Sequence, residues 1–169
     1  MTSTTRLYTL NRAADTEVAE HLSACNASPQ WIAQVLAGRP YIDVDSLLDT
    51  AERAARALPW SEVRRALDAH PRIGDRPAGE SVEARWSRRE QSAVATADER
   101  TRDALQVANA AYDERFGHVF LVRAAGRTSE EMLAEVHRRL GNDDATERTE
   151  VTGQLAEITR LRLQQWLTD

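Results

Sequence analysis

Two stretches of this chain carry residue types that could do chemistry: His70-Pro71-Arg72-Ile73-Gly74-Asp75 and Ser87-Arg88-Arg89-Glu90-Gln91. A residue before proline is pushed out of the helical region, so His70 reads as the end of a helix. Pro71 and Gly74 then make a stiff, turned loop that presents the imidazole instead of burying it. With an ordinary pKa of ~6.5, that ring suits proton transfer near neutral pH. Ser87, Glu90, Gln91 and Val94 fall at i, i+3, i+4 and i+7, one face of a helix, and Val94 and Ala97 turn that face inward. A carboxylate and an amide are expensive to bury unless satisfied. Facing a histidine, Glu90 can orient the ring and tune its pKa. Gln91 offers both a donor and an acceptor, which suits a urea-like or amide substrate. The bland alternative is a surface helix on which Glu90 pairs with an arginine.

Composition narrows the chemistry. Every cation in the Lys+Arg count is arginine; the chain has no lysine. An internal Schiff base is therefore impossible, which excludes lysine-anchored pyridoxal phosphate and lysine-dependent decarboxylation. A P-loop is excluded for the same reason. Cys25 is the single cysteine, so no intramolecular disulfide or cysteine-based metal cluster can form, and it reads as a small buried hydrophobe. His21, His118 and His137 lack zinc spacing, so no metal is expected. No Gly-x-Ser-x-Gly elbow or Gly-x-Gly-x-x-Gly fingerprint is present. A net charge of -5 gives no basic surface for nucleic acid. The first residues do not read as a signal peptide, no apolar run approaches a membrane span, and the last three are not a peroxisomal tripeptide, so a cytoplasmic location is the expectation.

The elements that must position these groups are helical. Asp15 or Thr16 opens one helix. Ser28 caps another with Pro29 at its first position, burying Trp31, Ile32, Val35 and Leu36 and stopping at Gly38. Asp43 or Asp45 opens a third, which Pro59 interrupts, and a short helix from Trp60 leads to His70. Helix resumes before Ser87 and runs to about Thr96. A longer helix follows from Asp98 to Phe116. Phe120-Leu121-Val122-Arg123-Ala124 reads as a brief extended run between Gly117 and Gly126. Thr128 with Glu131 is a capping box for a helix ending near Gly141, and the last helix covers about Asp144 to Leu167. The expectation is an all-α single domain over 1–169: a bundle of about eight helices with a short extended segment near 119–124. Asp15, Asp68 and Asp75 read as cap and turn residues, and Arg72 as scaffold. Arg160 and Arg162 sit on the last helix, where Arg could clamp a carboxylate or simply face solvent.

Taken in order, these marks resemble a family. His70-Pro71-Arg72-Ile73-Gly74, Ser87-x-x-Glu90-Gln91, Asn109-x-x-Tyr112-x-x-x-Phe116-Gly117-x-x-Phe120 and Ile158-x-x-Leu161-Arg162-Leu163, with the turn Arg39-Pro40-Tyr41, are similar to those of the 2-oxo-4-hydroxy-4-carboxy-5-ureidoimidazoline (OHCU) decarboxylases of urate degradation. The resemblance implies an all-α, often dimeric protein that converts OHCU to (S)-allantoin and carbon dioxide without a cofactor. It implies His70 as the central acid/base, with Glu90 orienting it and binding ureido or ring N–H groups. Ser87 and Gln91 would fix the ring and ureido group, and Pro71 would shape the wall. Backbone groups of Phe120, Leu121, Val122, Arg123 and Ala124 would hydrogen-bond the substrate, and Arg162 (rather than Arg160) would hold a carboxylate or carbonyl oxygen.

Two other readings compete. One is a hydrolase or isomerase of a related ureido compound using the same His/Glu pair. The other is a non-enzymatic helical interaction domain, in which the His-Pro loop only links two helices and the inward Glu90 and Gln91 have no purpose.

Overall fold

Caps written into the sequence start most of the helices. In the computed structural model, which describes residues 2–75, 81–95 and 97–169, the backbone of those residues forms ten helices and no strand. They are α1 (Ser3–Arg12), α2 (Asp15–Cys25), α3 (Pro29–Ala37), α4 (Val44–Arg56), α5 (Trp60–Leu67), α6 (Val82–Glu90), α7 (Ser92–Ala95), α8 (Glu99–Phe116), α9 (Ser129–Leu140) and α10 (Asp144–Thr168). Ser28 accepts from the Trp31 N–H, Asp98 from the Thr101 N–H, and Asp43 and Thr128 each form a capping box. Each satisfies an N–H that a helix start leaves orphaned. Gly117, at φ 72°, closes α8 in the left-handed region that favours glycine.

The all-helical expectation holds, and the count rises from about eight for two physical reasons. First, α1 was not expected: only Leu7 and Leu10 of its residues are buried, the rest is largely Thr, Asn and Arg, and Thr is a poor helix former. Second, the helix expected through Ser87 to Thr96 breaks at Gln91. That residue caps α6 with φ -95° and ψ 18°, and α7 starts again at Ser92. Thr96 lies outside the described residues. The apolar spacing continues through the break, so Val94 is buried even though it sits on a different helix from Ser87. The span 119–124 is non-helical, as expected, but pairs with no strand among the described residues.

The chain divides into two units, Met1–Ala66 with Leu155–Asp169, and Leu67–Gln154. In the first, Trp31 and Val35 of α3 and Leu47 and Ala51 of α4 are fully buried, and the Trp31 indole N–H donates to the Ala51 carbonyl at 2.8 Å. In the second, α8 and α9 pack together through Leu105, Ala108 and Tyr112 against Met132 and Val136. Ile73, Val94, Phe120, Val122 and Ala124 complete that core. Burying a Phe- or Leu-sized side chain is worth roughly 1.5–3 kcal/mol. The core therefore anchors the loop after His70 and the extended segment to the same pair of helices.

Candidate active site

The candidate site begins at the His70 loop, in the second unit. The His70 N–H donates to the Leu67 carbonyl at 2.9 Å, so α5 ends in a turn, and His70 and Pro71 emerge half-buried. Three contacts then fix the loop. The Arg72 guanidinium pairs with Asp113 on α8. Asn109, one turn earlier on α8, donates from Nδ2 to the Ile73 carbonyl at 2.7 Å. The Gly74 N–H donates to Gln91 Oε1 at 2.9 Å. Gly74 has φ 95°, a backbone that L side chains rarely adopt. Its turn is what lets one short loop meet α8 on one side and the end of α6 on the other.

The α6 end supplies the remaining groups. Ser87 is buried, and Glu90 and Gln91 are half-buried. The structure thus brings the two chemical stretches together through a hydrogen bond that joins one to the other. It also alters the expected role of Gln91. The Gly74 N–H takes one of the two lone pairs of Gln91 Oε1, which weights what the side chain can offer a ligand towards its NH2, a donor.

Phe120, Leu121, Val122 and Ala124 are buried and Arg123 is half-buried. Arg139 Nη1 donates to the Leu121 carbonyl at 2.6 Å, and the Arg123 N–H donates to Gln154 Oε1 at 2.8 Å. Arg139 is in turn ion-paired with the buried Glu147, which accepts from the Tyr112 hydroxyl. Burial pushes the Tyr112 phenol well above its ordinary pKa of 10.0, and the hydrogen bond to Glu147 adds to the shift, so it stays a donor.

Arg162 belongs to the first unit. It is buried there, with Nη1 donating to the Ala24 carbonyl at 3.4 Å. Arg160 differs: it pairs with Asp49 and Glu52 on α4, an ordinary surface role. Two open clefts lie among the described residues of the second unit. One of about 340 Å³ is lined by Ile73, Gly74, Val94 and charged residues of α8, and one of about 530 Å³ by residues around Asp98 and Thr128. Neither is lined by His70, Ser87 or Glu90. Among the described residues, no group of three or more His, Cys, Asp or Glu side chains could hold a metal ion.

Sequence reasoning gave Asn109 and Tyr112 no role beyond marking the resemblance, and it passed over Asp113, Arg139, Glu147 and Gln154. Asn109 and Asp113 carry a weak signal, since they sit at i and i+4 with Tyr112 between them on the buried side of α8. Arg139 and Glu147 lie on different helices, so no local spacing pairs them.

The sequence profile of the family described as OHCU decarboxylase matches residues 11–164. A 2-oxo-4-hydroxy-4-carboxy-5-ureidoimidazoline decarboxylase from Amia calva is 30% identical over 138 residues, covering 80% of this chain and 79% of that protein. The protein of the same description from Mus musculus is 31% identical over 137 residues, covering 80% and 77%. In fold, the chain is similar to an OHCU decarboxylase crystallised in the presence of (S)-allantoin, with a TM-score of 0.74 at 24% identity over 87% of this chain and 96% of that one.

Proposed function

The chain belongs to the OHCU decarboxylase family, and on that footing we propose that it converts OHCU to (S)-allantoin and carbon dioxide in urate degradation. The observation that carries the reading to this chain's residues is the 2.9 Å hydrogen bond from the Gly74 N–H to Gln91 Oε1. It ties the loop that presents His70 to the helix end that presents Ser87 and Glu90, as halves of one pocket require.

The substrate supplies its own electron sink. The departing carboxylate sits on a carbon that also bears a hydroxyl, next to a ring C=N. When the C–C bond breaks and carbon dioxide leaves, the electron pair flows into that C=N, whose nitrogen takes up a proton from solvent, and an enol is left. Loss of the hydroxyl proton and protonation of the ureido-bearing carbon then give allantoin. The side chains have only to bind, orient and move protons.

In this proposal His70 takes the hydroxyl proton and helps return a proton to carbon. Glu90 orients the imidazole and accepts from ureido or ring N–H groups. Ser87 and the Gln91 NH2 fix the ring and ureido oxygen, and Pro71 forms part of the wall. The backbone of 120–124 contributes further hydrogen bonds. The N–H of Arg123 already has a partner, which leaves these contacts to the other N–H groups and to the carbonyls of the segment. Protonation from one face makes a single enantiomer. Arg162 keeps its role of holding a carboxylate or carbonyl oxygen on the resemblance alone, as does a dimeric assembly. The family profile spans both units, which supports reading 1–169 as one domain.

The test supplies freshly made OHCU and follows circular dichroism beside the uncatalysed reaction. Faster appearance of (S)-allantoin with carbon dioxide release supports the proposal. Carbon dioxide release no faster than in buffer sinks it.

A further inference from the structure

The segment 120–124 pairs with no strand among the described residues, so its backbone polar groups need other partners. For Leu121 the partner is Arg139, which is wholly buried. Nε and Nη2 of Arg139 both donate to Glu147 Oε1, and Nη1 donates to the Leu121 carbonyl. Glu147 is held from two more directions, by the Tyr112 hydroxyl and by Asn142 Nδ2 at 2.9 Å. The guanidinium also lies over the Phe120 ring, 4.8 Å from its centroid.

A buried ion pair is a poor source of stability, because desolvation offsets most of the attraction. This one gives direction instead. The guanidinium is a rigid planar fork. With two of its nitrogens fixed on one carboxylate, the third is aimed at a single backbone carbonyl. A charged donor on that carbonyl polarises the whole Leu121–Val122 peptide and strengthens the Val122 N–H as a donor.

We propose that Arg139 is a positioning residue for the decarboxylation: steered by Glu147 and Tyr112, it sets the register of the 120–124 segment and polarises the Leu121–Val122 peptide so that the Val122 N–H binds substrate. The proposal rests on the OHCU decarboxylase reading above. Arg139→Lys keeps a charge for Glu147 but lacks the fork that reaches Leu121.

The expected result is a KM for OHCU raised about tenfold, with kcat and its pH profile unchanged, because binding is lost while His70 and Glu90 are untouched. In the ligand-free protein, the Val122 amide ¹H resonance moves upfield as its hydrogen-bonding power falls. An Arg139→Lys protein that folds with unchanged KM and an unmoved Val122 amide overturns the proposal. If that variant does not fold, Tyr112→Phe serves: a KM raised about threefold at constant kcat supports it, and an unchanged KM overturns it. A wild-type protein inactive on OHCU overturns the functional reading itself, a result distinct from an active wild type with an indifferent Arg139 variant.

Discussion

Gln91 can be tested for its two duties separately. Its Oε1 accepts from the Gly74 N–H at 2.9 Å, and its NH2 is the end proposed to meet substrate. Gln91→Ala removes both. Gln91→Glu keeps an acceptor in the same place and removes only the donor. Gly74 is exposed, so water competes and the bond belongs in the lower part of the usual range, about 0.5–1 kcal/mol. That corresponds to a Tm lower by about 1–4 °C for a chain of this size. It also corresponds to about two- to fivefold faster exchange of the Gly74 amide by local opening. The loop does not detach, because Asn109 and the Arg72–Asp113 pair still hold it. Gln91→Glu leaves Tm and Gly74 exchange at wild-type values, since a carboxylate accepts at least as well as an amide. Both variants lose kcat/KM on OHCU. Amide exchange by NMR is the deciding assay. If Gly74 exchanges at the wild-type rate in Gln91→Ala, or equally fast in both variants, the hydrogen bond does not hold the loop and the reasoning fails.

Glu147→Leu strands the buried Arg139 charge and is expected to lower unfolding free energy by about 3–5 kcal/mol, whereas the double variant Glu147→Leu/Arg139→Met recovers most of the loss; equal chemical-denaturation midpoints for the single and double variants would contradict this. A pH effect follows from Arg138, whose hydrogen bonds hold the Glu135 and Glu150 carboxyls below their ordinary value of 4.5. A depressed carboxyl stabilises the fold above its unfolded pKa, and that contribution disappears as pH falls through the folded value. Arg138 is half-exposed, so each pair contributes only ~0.2–1 kcal/mol. Arg138→Gln should therefore melt a few degrees below wild type at neutral pH, with the gap closing in acid below about pH 4; a gap that persists in acid refutes the assignment.

Much of the fold was legible because caps are local signals. Ser28-Pro29, Asp43, Asp98 and Thr128 with Glu131 each start a helix where their chemistry says one should start. The break at Gln91 was not legible, because its side chain answers to Gly74, seventeen residues away, while the apolar spacing runs on undisturbed. The site divides the same way. His70 and Glu90 stand out by residue type and by neighbours in sequence. Asn109, Arg139 and Glu147 act through partners on other elements, and only the folded chain brings those partners within reach. The inward face was partly right: Ser87 is buried, but Glu90 and Gln91 stand at the rim, half-exposed.

His70 is proposed to move the protons of OHCU decarboxylation. The most direct test is the rate of (S)-allantoin formation from fresh OHCU, by circular dichroism, for wild type and His70→Ala, each corrected for the spontaneous reaction. Acid/base catalysis is worth about 10²–10⁴-fold, so the variant should lose that factor while keeping its fold and its affinity for allantoin within a few-fold. A His70→Ala protein that forms (S)-allantoin at the wild-type rate contradicts the account.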